Sequence, residues 1–347
     1  MKKSTYLIGE IGQNHNGSVD IAKLLIDKAS QSVYDPLFGK TLKAWDAVKL
    51  TKRDLNEELT HSAMIKPYDS PHAFGKTYGE HREALELNDE QHFELYQYAK
   101  AQGLDFVETL CAVGCLSMLR LFQPDKLKVA SRDLTNLPLL EAMAETKIPM
   151  ILSTGMGGEK ELDHALETIT KHHENISILH CLSQYPSEYE NLNLNTIHFL
   201  KKKYPQFEIG YSDHSIGIAI PLAAVAMGAS IIEKHITLDR TMKGTDQAGS
   251  LAPNGMWRMV RDIRNLEDSF GEEKMEVSQA VETARVKLER SIATLRELKK
   301  GEVVHEEDIH LLSPGDGFKW IEKHLVVGKS LNQDITENEV IYPSMLS

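Results

Sequence analysis

The chain has 347 residues, 41% of them apolar and 26% charged, with a formal net charge of −12. That length and composition support one large core and a second, small one, while the negative balance excludes a general nucleic-acid or anionic-membrane surface, so an anionic ligand has to be drawn by a local basic pocket. The three cysteines, Cys111, Cys115 and Cys181, are odd in number, lack C-x2-C spacing and lie in apolar stretches, the pattern of a reduced, cytoplasmic protein.

From the N-terminus, Met1 to Thr5 lead into a short β pattern without a signal-type apolar stretch, so export is not expected. No run approaches the roughly eighteen apolar residues of a membrane span. Short apolar or β-branched runs then alternate with longer helical patterns. Strands are predicted at Tyr6–Gly12, Asp46–Thr51, Asp105–Cys111, Leu127–Ser131, Met150–Thr154, Ile176–Cys181, Glu208–Ser212 and Ser230–His235. This alternation predicts an α/β fold of the (β/α)8 TIM-barrel type rather than an open doubly wound sheet. No strand runs into a G-x-G-x-x-G turn, and Gly155-Met156-Gly157-Gly158 reads as the start of a helix over Glu159–Thr170. An amphipathic helix over Pro253–Phe270, with Met256, Trp257, Val260, Ile263 and Leu266 on one face, closes the barrel domain, residues 1–270. Residues 271–284 read as a polar linker. Residues 285–347, with short alternating strands and turns at Lys300-Gly301-Glu302, Pro314-Gly315-Asp316-Gly317 and Val327-Gly328-Lys329, form a small, mostly-β second domain.

Two histidines each close a predicted strand. His214 follows Ile209-Gly210-Tyr211-Ser212-Asp213, His235 follows Ala229 to Lys234, and a helical run, Ile218 to Met227, lies between them. A strand, crossover helix and parallel strand bring both imidazoles out at one end of neighbouring strands. Beside the carboxylates Asp213 and Glu233 they suit a divalent metal, or else serve as hydrogen-bonding groups of the core. Barrel ligands sit on the loops after the strands, and the residues at those ends are Glu10, Lys49, Thr109, Lys128, Ser131, Ser153, Ser183, Ser212, His214 and His235. Two lysines and several hydroxyls around two histidines suit a phosphorylated small molecule next to a metal ion. Taken singly, each has a plainer reading as a rim charge or a helix cap. His172-His173-Glu174 and Lys201-Lys202-Lys203 read as solvated helix ends. His15 reads as a structural group, and Cys111 and Cys115, at helical spacing, as packing residues.

Several segments resemble the sialic acid (N-acetylneuraminate) synthases, in the right order over nearly the whole chain: Glu10 to Gly17, Gly75 to Arg82, Ile151 to Met156, Cys181 to Pro186, Gly210 to His214 and Glu233 to Arg240. The loop 75–82 is particularly similar to the animal-type enzymes, which use an aminosugar 6-phosphate, and the tail resembles the antifreeze-like (SAF) domain of that family. The resemblance implies condensation of phosphoenolpyruvate with an N-acetylmannosamine-type aldose, releasing phosphate and forming a 2-keto-3-deoxy nonulosonic acid. It implies a metal on His214 and His235, manganese first, with magnesium, cobalt or zinc as alternatives. Lys49, Thr109, Lys128, Ser131, Ser153, Ser183 and Ser212 would then surround phosphoenolpyruvate, Glu10 would position or deprotonate reacting groups, and Asp246, with Tyr185 as a weaker candidate, would hold sugar hydroxyls. A domain-swapped homodimer is also implied.

The chain departs from the family pattern at Lys49-Leu50-Thr51, at the apparent insertion 32–43, and at Ala130-Ser131-Arg132-Asp133. Arg132, at the sugar end together with Asp133, either binds an anionic group of the acceptor or turns away to pair with Asp133. Ser313 stands where bacterial relatives carry an arginine directed at the N-acetyl group, which leaves a Kdn-type acceptor (mannose 6-phosphate) or a legionaminate-type sugar open. More distant alternatives are a Kdo 8-phosphate or DAHP type of synthase, against which the SAF-like tail argues, and a non-catalytic sugar-phosphate sensor.

Overall fold

The structure, a computed structural model, describes residues 4–347. Ten strands precede residue 240: β1 Tyr6–Gly12, β2 Val33–Asp35, β3 Lys40–Leu42, β4 Ala47–Lys52, β5 Asp105–Leu110, β6 Lys126–Val129, β7 Met150–Ser153, β8 Ile176–Cys181, β9 Glu208–Asp213 and β10 Ile231–His235. Eight of them form a closed parallel barrel in the order β1-β10-β9-β8-β7-β6-β5-β4. All eight predicted strands are present, with ends moved by at most two residues. Strand β6 stops at Val129 rather than Ser131, because Ser131–Asp133 turn into a short 3-10 helix.

Side-chain alternation explains what the barrel holds. Ile8, Ala47, Val107, Ile151, Leu179 and Ile231 form a buried apolar cluster inside the barrel. Successive side chains of a strand point to opposite faces. The residues two further along the same six strands, Glu10, Lys49, Thr109, Ser153, Cys181 and Glu233, therefore point inward as well, one layer nearer the C-terminal ends. An apolar plug thus carries a polar layer on top of it. The other strand face packs against the helices in the main core, which includes Leu25, Leu95, Phe106, Leu140 and Ile169.

The helix predicted at Pro253–Phe270 runs over Pro253–Ser269 and buries Met256, Met259, Val260, Ile263 and Arg264. Trp257 and Leu266 pack at its edge. Arg264 Nη2 donates to Asp46 Oδ2 at 3.0 Å and Nη1 to the Thr5 carbonyl at 2.8 Å, while the same Asp46 oxygen accepts from the Leu7 amide at 2.9 Å. The last helix is thereby tied to the starts of β1 and β4. Removing one partner of a buried ion pair leaves the other uncompensated, at a cost of about 3–5 kcal/mol. Arg264→Ala is accordingly expected to lower the unfolding free energy obtained by urea titration toward that order, with the exposed Lys43 left as the partner of Asp46, and a change below about 1 kcal/mol would show the tie to be dispensable.

The insertion at 32–43 is a hairpin of β2 and β3 turning through Pro36 to Gly39, with Gly39 at φ +63°. It is fastened to the last helix by Asn265 Nδ2 donating to Asp35 Oδ2 at 2.9 Å and by the Lys40–Asp268 pair at 2.6 Å.

The chain divides into two compact units, Met1–Gly271 and Glu272–Ser347. The second holds a helix over Glu282–Leu288, which begins inside the stretch read as linker, and the antiparallel strands β11 Ser291–Thr294 and β12 Ile309–Leu312. Isolated bridges such as Leu298–Ile335 complete it around Ile292, Leu298, Val304, Ile309, Val326, Leu331, Ile335 and Ile341. Ser313 Oγ donates to the Leu288 carbonyl at 3.0 Å within this unit. No helix among the described residues is long and apolar enough to cross a membrane.

Candidate active site

At the C-terminal ends of the barrel strands lies a cavity of about 340 Å³. All ten strand-end residues named from the sequence line it, as do Arg132, Tyr185 and Asp246. Asp133 does not: its carboxylate accepts from Arg132 Nε at 3.2 Å beside the cavity. Arg132 lines the wall and pairs with Asp133 and, at 3.3 Å, with Glu58.

The floor is a charge network. Lys128 Nζ donates to Ser153 Oγ at 2.6 Å and lies 3.5 Å from Glu233 Oε1; Lys49 Nζ donates to Thr109 Oγ1 at 3.1 Å, lies 3.7 Å from Glu233 Oε2 and pairs with Glu10. Ser212 Oγ donates to Glu233 Oε1 at 3.0 Å. Burial pushes Lys49 down to about 8, with Lys128 adding to the shift and Glu233 opposing it. Burial would raise Glu233, but the two ammonium groups and the Ser212 hydroxyl outweigh it and hold this carboxyl well below its ordinary range. Gly12, at φ +51°, leaves room for Glu10: a Cβ there would sit 2.8 Å from Glu10 Oε1 and 3.4 Å from His235 Cε1.

The imidazole rings of His214 and His235 are 5.6 Å apart, with the Tyr185 ring 4.0 Å from His214. His214 Nδ1 lies 2.8 Å from the Leu182 carbonyl, so Nδ1 is a donor, and in the neutral ring Nε2 carries the lone pair. His235 is different: its Nδ1 is buried without a partner. Burial drives His235 down, with His214 and Lys49 adding to the shift against Asp246. His214 is raised in spite of burial, through Cys181 and the Leu182 carbonyl.

Several expectations are corrected. Asp213 does not line the main cavity, although it borders a neighbouring one together with His214 and His235; its carboxylate pairs with Lys234 and accepts from Ser215 Oγ at 3.0 Å. Cys181 is not in apolar surroundings but lines the cavity, 3.6 Å from Ser131 Oγ and 3.8 Å from His214 Nδ1. Cys111 is not helical; it follows β5, and only Cys115 lies on the 3-10 helix Val113–Arg120. His172 is no mere solvated end, since its Nε2 sits 2.7 Å from Glu141 Oε1. Glu141, Glu145 and His172 are also the one His/Cys/Asp/Glu group of three among the described residues compact enough for an ion, on the surface, where acidic groups commonly gather without one.

Sequence reasoning left out Arg53, Arg82, Gln13 and Thr51, all of which line the cavity. Thr51 and Arg53 were recoverable, since 49, 51 and 53 share one parity. Arg82 comes from the long connection after β4 and carries no such signal.

His15 is buried and does not line the cavity, its Nδ1 accepting from the Gly17 amide at 3.0 Å. Burial, aided by His92, pushes it down to about 3. Unfolded, it titrates near 6.5, so its contribution is complete above about pH 6.5 and is lost as the pH falls toward 3, where the unfolded chain takes a proton that the native one refuses. His15→Gln is expected to flatten the fall of melting temperature between pH 6.5 and 4; an identical slope in variant and wild type would contradict this.

Residues 40–275 match the NeuB family and residues 289–347 the SAF domain. The chain is 34% identical over 336 residues to the N,N'-diacetyllegionaminic acid synthase of Legionella pneumophila, covering 95% of this chain and 91% of the relative. It is 32% identical over 343 residues to the human N-acetylneuraminate-9-phosphate synthase, covering 98% and 92%. The crystal structure of an N-acetylneuraminic acid (sialic acid) synthetase from Leptospira borgpetersenii in complex with citrate superposes with a TM-score of 0.67 at 32% identity, over 81% of this chain and 90% of that one. The chain belongs to the NeuB family and carries a SAF domain after its barrel.

Proposed function

We propose that the chain is a nonulosonic acid synthase, condensing phosphoenolpyruvate with an N-acetylmannosamine-type aldose or its 6-phosphate and releasing phosphate. The observation that carries this reading is the union, in one cavity, of the Lys49–Lys128 hydroxyl floor with the His214–His235 pair. The orphaned Nδ1 of His235 and, in its neutral form, the Nε2 of His214 suit a divalent ion, manganese first. When bound there, the ion supplies Lewis acidity toward an aldehyde oxygen.

The remaining work falls to this chain's own groups. Lys128 and Lys49 offer ammonium charge to the phosphate and carboxylate of phosphoenolpyruvate, and Ser131, Ser153, Ser183, Ser212 and Thr109 offer hydroxyls. A set already held by internal hydrogen bonds aligns C3 with the aldehyde carbon at little further entropic cost. Bond formation from C3 to that carbon leaves an oxocarbenium centre at C2, and water adding there gives a hemiketal phosphate that collapses to the ketone as the C2–O bond to phosphate breaks. Glu10, next to both Lys49 and His235, orients that water and receives its proton. Asp246 and Tyr185, on the His235 side, hold sugar hydroxyls. A homodimer accompanies this reading, and light scattering at twice the 39.0 kDa chain mass tests it.

The direct test is phosphate release from phosphoenolpyruvate with manganese, offering N-acetylmannosamine, its 6-phosphate, mannose 6-phosphate, a 2,4-diacetamido sugar and arabinose 5-phosphate. Turnover on a hexose-derived acceptor supports the reading. Turnover on arabinose 5-phosphate alone transfers the chain to a shorter-chain synthase, and silence on all five contradicts catalysis of this kind.

A further inference from the structure

Five cations line the cavity: Lys49, Arg53, Arg82, Lys128 and Arg132. Four of them are spoken for by carboxylates. Lys49 meets Glu10 and Glu233, Lys128 meets Glu233, Arg53 meets Glu58 at 2.6 Å and Glu86 at 3.5 Å, and Arg132 meets Glu58 and Asp133. Arg82 has no ion pair among the described residues. Its Nη1 donates to Gln13 Oε1 at 2.7 Å, and its Nε and Nη2 both donate to Tyr78 Oη, at 2.9 and 2.6 Å. These partners are neutral and use three of the five guanidinium N–H groups. Gln13, which anchors it, keeps a buried Nε2 donor without a partner.

The segment bearing Arg82 is built to hold it still. Thr77 and Glu80 form a capping box at the start of the helix Tyr78–Glu83. His81 is buried with its ring 4.6 Å from that of Tyr68 and 5.9 Å from that of Phe74. Gly79 leaves no room for a side chain, since a Cβ would lie 2.8 Å from the Met64 carbonyl oxygen.

Its position completes the case. Gln13 follows β1, and in the closed barrel β7 with Ser153 is the strand four places away, directly across the mouth, with Lys128 on β6 beside it. One wall therefore offers Lys128, Ser131 and Ser153, and the opposite wall a rigid, unbalanced guanidinium, with His235 on the strand adjoining β1. We infer that Arg82 binds an anionic group, phosphate or carboxylate, carried by the aldose acceptor. This rests on the synthase reading above and adds the acceptor's charge to it.

The test compares kcat/KM for N-acetylmannosamine, its 6-phosphate and the corresponding 6-carboxylate in the wild type, Arg82→Met and Arg82→Lys, together with calorimetric binding of the same three compounds. A wild type that favours one anionic acceptor over the neutral sugar by about 30-fold or more, a ratio that collapses in Arg82→Met through the acceptor's KM and partly returns in Arg82→Lys, is the expected result. Which anion is favoured separates phosphate from carboxylate. Preference for the neutral sugar, or an equal loss on all three acceptors in Arg82→Met, would overturn the inference while leaving the synthase reading intact. Should no acceptor turn over, the synthase reading fails, and calorimetry then decides the anion site alone. Binding of an anionic sugar weakened about 30-fold in Arg82→Met upholds it, and equal binding rejects it.

Discussion

Replacing His235 with alanine is expected to lower kcat/KM by at least about 10³-fold, with the fold intact by circular dichroism. Polarisation of an aldehyde by a bound divalent ion is worth several kcal/mol, and each ~1.4 kcal/mol is tenfold in rate. His235 ends β10 with its buried Nδ1 unpartnered, so the alanine variant abandons no hydrogen bond within the protein at that atom. Its cost should therefore fall on ion binding and turnover rather than on stability. Manganese binding followed by electron paramagnetic resonance should weaken in parallel. A variant that keeps activity within tenfold, or binds manganese as wild type does, would remove His235 from the role assigned to it.

The second large effect is expected at Lys128, where activity and stability separate. Lys128→Met removes an ammonium group that faces both Ser153 and Glu233. Loss of one such pre-aligned charged donor costs roughly 10²–10³-fold in rate, with the KM for phosphoenolpyruvate rising. It also leaves Glu233 buried with Lys49 at 3.7 Å as its remaining cation, and an under-compensated buried carboxylate costs about 3–5 kcal/mol. Adding Glu233→Gln should restore most of the stability but not the activity. If the double variant stays as unstable as the single one, the Lys128–Glu233 pairing does not organise the floor.

Much of this site was legible because a barrel strand has a period of two. Once eight strands are placed, the polar residues two positions beyond an apolar plug must converge, and Glu10, Lys49, Thr109 and Ser153 do so. The same rule, applied strictly, would have turned Asp213 outward, since Ser212 and His214 flank it facing inward, and would have added Arg53 to Lys49. What periodicity does not encode is the route of a long connection. The aromatic packing of Tyr68, Phe74 and His81 that presents Arg82, and the pairing of β2 with β3 in the insertion, depend on contacts between residues with no shared repeat. Asp133 was misplaced for a related reason: after β6 the chain enters a 3-10 turn, where strand parity no longer applies.

The measurement closest to the central claim uses phosphoenolpyruvate carrying 18O in the bridge between C2 and phosphorus, with manganese and a hexose-derived acceptor. Condensation with cleavage of the C2–O bond predicts that the released phosphate keeps the label and that a nine-carbon 2-keto acid accumulates in equal amount. Unlabelled phosphate would mean attack at phosphorus, and phosphate released at the same rate without any aldose would mean simple hydrolysis of the ligand; either would contradict the synthase account.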